Sequence, residues 1–202
     1  QLQAWMNASV LTEQIEWDMP TEYSALQGIP FITLALLRTP LLLHPNSNKR
    51  TNTFVDADHN PIQDFRNEGD EWFCYPMKVG ETLIYAYFHR NYMTSCISCS
   101  NLFALAKPED VKGKRPLFGN QDGTKDTVFY QDKTNDMWVG KVSDAPEIDY
   151  FGYTKKAVLT LHNLVMMARG WLPIHGAMVN VYFKDGTKKG IMFMGDSGAG
   201  KS

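Results

Sequence analysis

Cysteine is scarce in this sequence, with three among 202 residues, at positions 74, 96 and 99. An odd, low count excludes a disulfide-stapled scaffold and fits a reducing compartment, so a cytoplasmic location is expected. Cys96 and Cys99 have the CxxC spacing of zinc and redox sites, but a second ligand pair and a thioredoxin-like surround are missing. They are expected to be ordinary core or loop thiols. Long apolar runs are also lacking: the longest, around Phe31–Leu37, falls well short of the ~20 residues that cross a bilayer. The opening QLQAWMNASV has neither the basic start nor the apolar core of a signal peptide. Basic excess is absent as well. Twenty Lys and Arg face 22 Asp and Glu, for a net charge of -2, which argues against a nucleic-acid partner. No repeat or low-complexity stretch is present.

Apolar residues are plentiful, at 44% of the chain with 12% aromatic, enough to build a sizeable core. Ala4 to Trp17 shows apolar residues at loose helical spacing, broken by the Pro20 region. IPFITLALLRTPLLLHP reads as buried segments either side of a turn, and His44 to Thr53 as a polar loop. EWFCYPMKVGETLIYAYFH alternates aromatic and β-branched residues, predicting paired strands that turn at Gly80. Residues 104–126, rich in Gly, Pro and charge, predict a long surface loop with functional potential. TVFYQ and MWVGKV predict two strands joined by DKTND. The segment from Lys155 to Gly170 predicts the clearest helix, with Val158, Leu159, Leu161, Leu164, Val165 and Met166 on a broad apolar face and Gly170 as the stop. HGAMVNVYF and GIMFM then predict two strands around a turn at Asp185-Gly186.

Two patterns imitate metal sites without completing them. Asp56-Ala-Asp58-His-Asn60 resembles the first half of a calcium loop, yet Pro61 stands where the sharp turn wants Gly, and Asn67 where a bidentate Glu belongs. A solvated turn is expected. His44, His59, His89 and His162 have no ligand-spaced partner, so surface or core roles are expected for each.

One motif is complete. Gly195-Asp196-Ser197-Gly198-Ala199-Gly200-Lys201-Ser202 satisfies GxxxxGK[ST] and follows the apolar segment Ile191 to Met194. An accidental match in a chain of this length has a chance of roughly 1%, given average residue usage, so a phosphate loop is the better explanation. The glycines let backbone N–H groups converge on phosphate oxygens. Lys201 is expected on the β/γ-phosphates of ATP and the Ser202 hydroxyl on Mg²⁺. Half of such a loop's grip comes from the helix that follows it, and none of that helix is in the sequence. The start at Gln1 in place of Met also points to a trimmed or processed chain. A fragment that binds ATP weakly or not at all on its own is therefore expected.

The residues ahead of the loop narrow the class. Tyr150-Phe-Gly152-Tyr-Thr-Lys155-Lys156 is followed by Thr160, Asn163 and Gly170, then His175, then a strand pair and the loop. This order and spacing resembles the ATP-dependent phosphoenolpyruvate carboxykinases, over about Tyr150 to Ser202. The resemblance implies an α/β fold: a mixed-sheet, carboxykinase-type N-terminal domain over 1–171, then the first strands of a P-loop nucleotide-binding domain over 172–202. It implies Lys156 and His175 as ligands of a catalytic Mn²⁺, a neutral Lys156, a substrate-side Tyr150, and oxaloacetate or phosphoenolpyruvate as substrate. The rest of the polypeptide would be the partner, with no nucleic acid or membrane. One family feature is missing: no Arg occupies the stretch Phe118-Gly119-Asn120 to Lys125-Asp126, and Arg115 is the nearest stand-in for the carboxylate-holding guanidinium. The loop itself, with Asp196, is also similar to HPr kinase/phosphorylase, which implies a phosphotransferase acting on a protein or other hydroxyl. A non-enzymatic binding or assembly module is the third alternative.

Overall fold

The computed structural model describes residues 8–37, 54–67, 69, 71–111, 113, 117–122, 127–143, 151–196 and 198–201. The chain divides into two compact units, Gln1–His162 and Asn163–Ser202.

The first unit is built on a mixed, predominantly β framework. Its strands are β1 (Ala8–Glu13), β2 (Phe31–Leu37), β3 (Phe54–Asp56), β4 (Trp72–Val79), β5 (Thr82–His89), β6 (Ala104–Leu105), β7 (Leu117–Asp122), β8 (Thr127–Asp132) and β9 (Met137–Ser143). They form one nine-stranded sheet in the order β1-β2-β4-β5-β7-β9-β8-β3, with β6 added beside β4. Helices α1 (Met93–Ser98) and α2 (Pro108–Val111) are short, and α3 (Phe151–Ala168) is the long one.

Two hairpins lie where the alternation of residues placed them. β4 and β5 pair antiparallel from Trp72–His89 to Val79–Thr82, and Gly80 takes the left-handed φ of +59° that their two-residue turn requires. β8 and β9 pair antiparallel around the turn 133–136, where Asp136 carries the positive φ. Pro76 sits inside β4 without costing a rung. Its carbonyl accepts from Ala106 N at 2.7 Å, so its nitrogen also faces the outer edge of β4. That edge is shared: β2 meets it at Cys74, where Cys74 N donates to Pro30 O at 2.9 Å, and β6 meets it at Met77 and Lys78. Pro76 occupies the gap between them, where no donor is needed.

Both faces of the central strands are buried, so β4 and β5 read as nearly continuous hydrophobic runs. On one face Cys74, Tyr85, Tyr87, Met137 and Val139 pack with Trp17, Tyr23, Leu26, Ile29 and Phe31, the last stacking edge-on against Tyr85 at 5.0 Å. The Tyr85 hydroxyl donates to Val111 O at 3.0 Å, which ties α2 to this layer. On the other face α3 lays Thr154, Ala157, Val158 and Leu161 over Ile84, Ala86, Phe88, Phe129 and Gly140. The register explains the close approach: Ala86, Gly119 and Gly140 stand side by side on β5, β7 and β9. A Cβ on Gly140 would lie 3.0 Å from Leu161 Cδ1 and 3.2 Å from Phe129 Cε1. The space left under the helix is about 30 Å³, room for one water and no substrate. Tyr153 and Thr127, both buried, join the helix to β8 by a hydroxyl–hydroxyl hydrogen bond.

Three expectations need correction. The segment with loose helical spacing near the N-terminus contains β1, paired with β2 along six registered residues; pairing with a neighbour outweighs a weak local period. Residues 104–126 are no continuous surface loop. They hold β6, α2 and β7, and β7 runs parallel to both β5 and β9 inside the sheet. Gly119 and Asn120 gave β7 the composition of a turn, yet the glycine is paired with Ala86 on β5 and Gly140 on β9. The three cysteines are buried, as expected of core thiols. Within α3, Leu159 departs from the expected buried face and is 38% exposed. The helix ends as Gly170 implied: at φ +82° it lets Trp171 N reach Met166 O at 2.9 Å and Gly170 N reach Met167 O at 3.0 Å, a Schellman stop.

The second unit carries the end of α3 and one hairpin, β10 (Gly176–Tyr182) and β11 (Lys188–Met194), in full register from Gly176–Met194 to Tyr182–Lys188. Asp185 closes its turn by accepting from Thr187 N at 2.9 Å and Thr187 Oγ1 at 2.7 Å, bonds that hold its carboxyl below the ordinary range. Gly186 supplies φ +85°. Both sides of the ribbon are apolar: Met178, Met192 and Met194 alternate with Val179, Ile191 and Phe193. All six are exposed.

Candidate phosphate-binding loop

The loop begins where β11 ends. Gly176 pairs with Met194, and one step further the Gly195 N–H donates to His175 O at 3.4 Å, a last rung beyond the registered strands. His175 is exposed and lies at the foot of the loop. The structure thus brings together two features that the sequence separates by twenty positions.

Beyond Gly195 the chain turns back on itself. Ala199 N donates to Asp196 O at 3.1 Å, closing a four-residue turn. Gly198 at φ +84° and Gly200 at φ +76° adopt the left-handed conformation that such a concave backbone requires. A Cβ on Gly195 would come within 2.8 Å of Ala199 Cβ, so the glycine also makes room for the returning chain. The Lys201 ammonium folds back across the loop and donates to Asp196 O at 2.5 Å. The Asp196 carbonyl therefore collects both the turn amide and the lysine head. This holds a cationic group against a loop that carries glycines at 195, 198 and 200.

Lys156 lies in the first unit, exposed on α3, with its carbonyl accepting from Thr160 Oγ1 at 2.8 Å. His175 belongs to the second unit. Tyr150, Arg115, Ser197 and Ser202 lie outside the described residues. Among the described residues, no three His, Cys, Asp or Glu side chains gather as a metal site. His59 and His89 pair instead with single carboxylates, Asp64 at 2.9 Å and Glu71 at 2.7 Å. No helix among the described residues is long and apolar enough to cross a membrane.

Motif reasoning missed two contributors to the loop. The Asp196 backbone oxygen leaves no trace in side-chain chemistry. Gly176 was legible only as a glycine opening an apolar strand, a position that often marks close backbone approach. No protein-family model matches the chain, and no curated protein or solved structure is significantly similar to it.

Proposed function

We propose that the loop from Gly195 to Ser202 binds the phosphates of ATP, and that the chain is part of a carboxykinase-like enzyme converting oxaloacetate and ATP to phosphoenolpyruvate, CO2 and ADP. The observation that carries this reading is the Lys201 ammonium held over the Asp196 carbonyl at the end of a strand, in a turn with two left-handed glycines. The two apolar sides of β10–β11 agree with it, because strands of an α/β nucleotide domain are covered on both faces. The narrower assignment rests on the resemblance of Tyr150 to His175 to the carboxykinases.

Chemically, loss of CO2 from oxaloacetate leaves an enolate whose oxygen takes the γ-phosphoryl group, with ADP departing. Such transfer relies on positioning and charge stabilisation more than on covalent help. Lys201 would supply a fixed positive charge at the phosphates, and the loop amides would orient them. For Mn²⁺, the resemblance implies Lys156 and His175 as ligands, which would fill two of the roughly six positions of an octahedral cation. The chemistry a divalent ion brings to this reaction is neutralisation of phosphate and enolate charge.

Asp196 within the loop, together with the absence of Arg between Phe118 and Asp126, favours a second reading: phosphoryl transfer by an HPr-kinase-like enzyme to a protein or small-molecule hydroxyl. One assay separates the two. The full-length protein is incubated with oxaloacetate, ATP, Mg²⁺ and Mn²⁺, and phosphoenolpyruvate is measured by a coupled reaction. The carboxykinase reading expects product, with turnover lowered in Lys156→Ala and His175→Ala. Absence of product, with labelled phosphate appearing on a hydroxyl acceptor, would establish the second reading in its place.

A further inference from the structure

Two glycines of the β10–β11 hairpin are crowded, by neighbours of different kinds. A Cβ on Gly190 would meet Met178 Cε at 2.8 Å, the far end of a flexible side chain that can swing aside. A Cβ on Gly176 would meet the backbone oxygen of Phe193 at 2.8 Å, and that atom cannot move without its strand. Neither glycine is among those with positive φ, so proximity and not backbone conformation demands glycine at 176. Its position gives the crowding a consequence. Gly176 follows His175 and pairs with Met194, the residue before Gly195. The rung from Gly195 N to His175 O is 3.4 Å, already at the long end for an N–H···O bond. Any outward shift of Phe193 carries Met194 and Gly195 with it and breaks that rung.

We infer that Gly176 is a positioning residue for the phosphate loop: its missing side chain admits the Phe193 carbonyl, and this close approach holds the first loop residue against His175. The inference rests on the reading that the loop binds nucleotide phosphates, and Gly176 itself touches no ligand. The geometry makes an unusual demand, that two glycines of one short hairpin respond unequally to the same added methyl group.

Gly176→Ala and Gly190→Ala are compared with the wild type as full-length proteins, below the unfolding midpoint of each, by calorimetric titration with MgATP. Misplacing binding groups by a fraction of an ångström is costly, so Gly176→Ala is expected to weaken affinity roughly tenfold or more while Gly190→Ala stays within about twofold. Amide hydrogen exchange without ligand tests the geometry separately from the nucleotide reading. Faster exchange of the Gly195 amide in Gly176→Ala alone, with protection inside β11 retained, is the expected result. Unchanged Gly195 exchange in Gly176→Ala would overturn the inference, as would equal affinity losses in both variants. Loss of protection along the whole of β11 would also overturn it, because Gly176 would then be serving the hairpin and not the loop. A wild type that binds no MgATP, with the exchange result as expected, would leave the positioning of Gly195 standing and sink the nucleotide reading.

Discussion

The Tyr23 hydroxyl donates to the Asp132 carboxylate at 2.7 Å across 109 positions of sequence, inside the first unit. Asn60 Nδ2 donates to the Tyr23 oxygen at 3.0 Å, and Asn135 reaches the same carboxylate through its backbone N–H at 3.1 Å and its side-chain amide at 2.8 Å. One buried carboxylate thus fastens the Thr21–Leu26 turn of 3-10 helix, the Asn60 corner and the β8–β9 hairpin.

Asp132→Ala should therefore cost about 1–3 kcal/mol at neutral pH, the usual range for leaving buried donors unpaired. Burial alone would raise the Asp132 carboxyl, but hydrogen bonds from Asn135 and Tyr23 outweigh it and hold the group below its ordinary range. A depressed native value means that the stabilisation is present above the unfolded value of about 3.9 and is lost as pH falls through the native one. Urea unfolding of wild type and variant at pH 7 and near pH 2 checks this. The gap between the two proteins should narrow in acid, and a constant gap would count against the ionised clamp.

Gly140→Ala should loosen the packing of α3 on the sheet. The added methyl would sit 3.0 Å and 3.3 Å from the two Leu161 methyls and 3.2 Å from Phe129. Overpacking of this kind costs typically 1–3 kcal/mol. A matching fall in thermal stability is expected, and Leu161→Ala should cost less in the Gly140→Ala background than in the wild type, because the two side chains compete for one space.

The three thiols should be inert in the native protein. Burial pushes Cys74 and Cys96 well above the usual thiol range and Cys99 up to about 12, so little reactive thiolate forms at pH 8. A thiol reagent should report no rapid reaction before denaturation and three equivalents after it. Fast labelling of Cys96 or Cys99 in the folded chain would revive the redox reading of the CxxC pair.

In the full-length protein, Lys201→Ala should weaken MgATP binding by at least about 100-fold, because the fixed ammonium is the only Lys or Arg in the motif. The unfolding midpoint should barely change, since the single bond seen for the lysine head is to an exposed backbone oxygen. Unaltered affinity in a titration would remove the phosphate loop from consideration.

Much of this was readable in advance where short-range rules decide the outcome. The β4–β5 turn at Gly80, the β8–β9 hairpin and the stop of α3 at Gly170 each depend on residues close in sequence. β1 and β7 were not readable, because pairing with distant strands selects them and their own propensities are weak. The candidate loop shows the same division. Its glycines and Lys201 announce themselves as a motif, whereas the Gly195–His175 rung exists only once β10 and β11 are in register. The Tyr23–Asn60–Asp132 cluster was misread: Asn60 was expected in a solvated turn, yet it is buried and joins polar residues from distant segments.

The location of β7 has a kinetic corollary. Without it the sheet falls into two blocks, β1-β2-β4-β5 with β6, and β9-β8-β3, each organised around a locally closed hairpin. Hairpins form in microseconds, while contacts between distant segments wait on loop closure. We expect β7, poor in strand-forming residues and bonded to both blocks, to act as a late zipper that fuses two early half-sheets. Pulse-labelled refolding should show amides of β5 and β9 protected in their hairpins before those of β7, and simultaneous protection would argue for one concerted collapse.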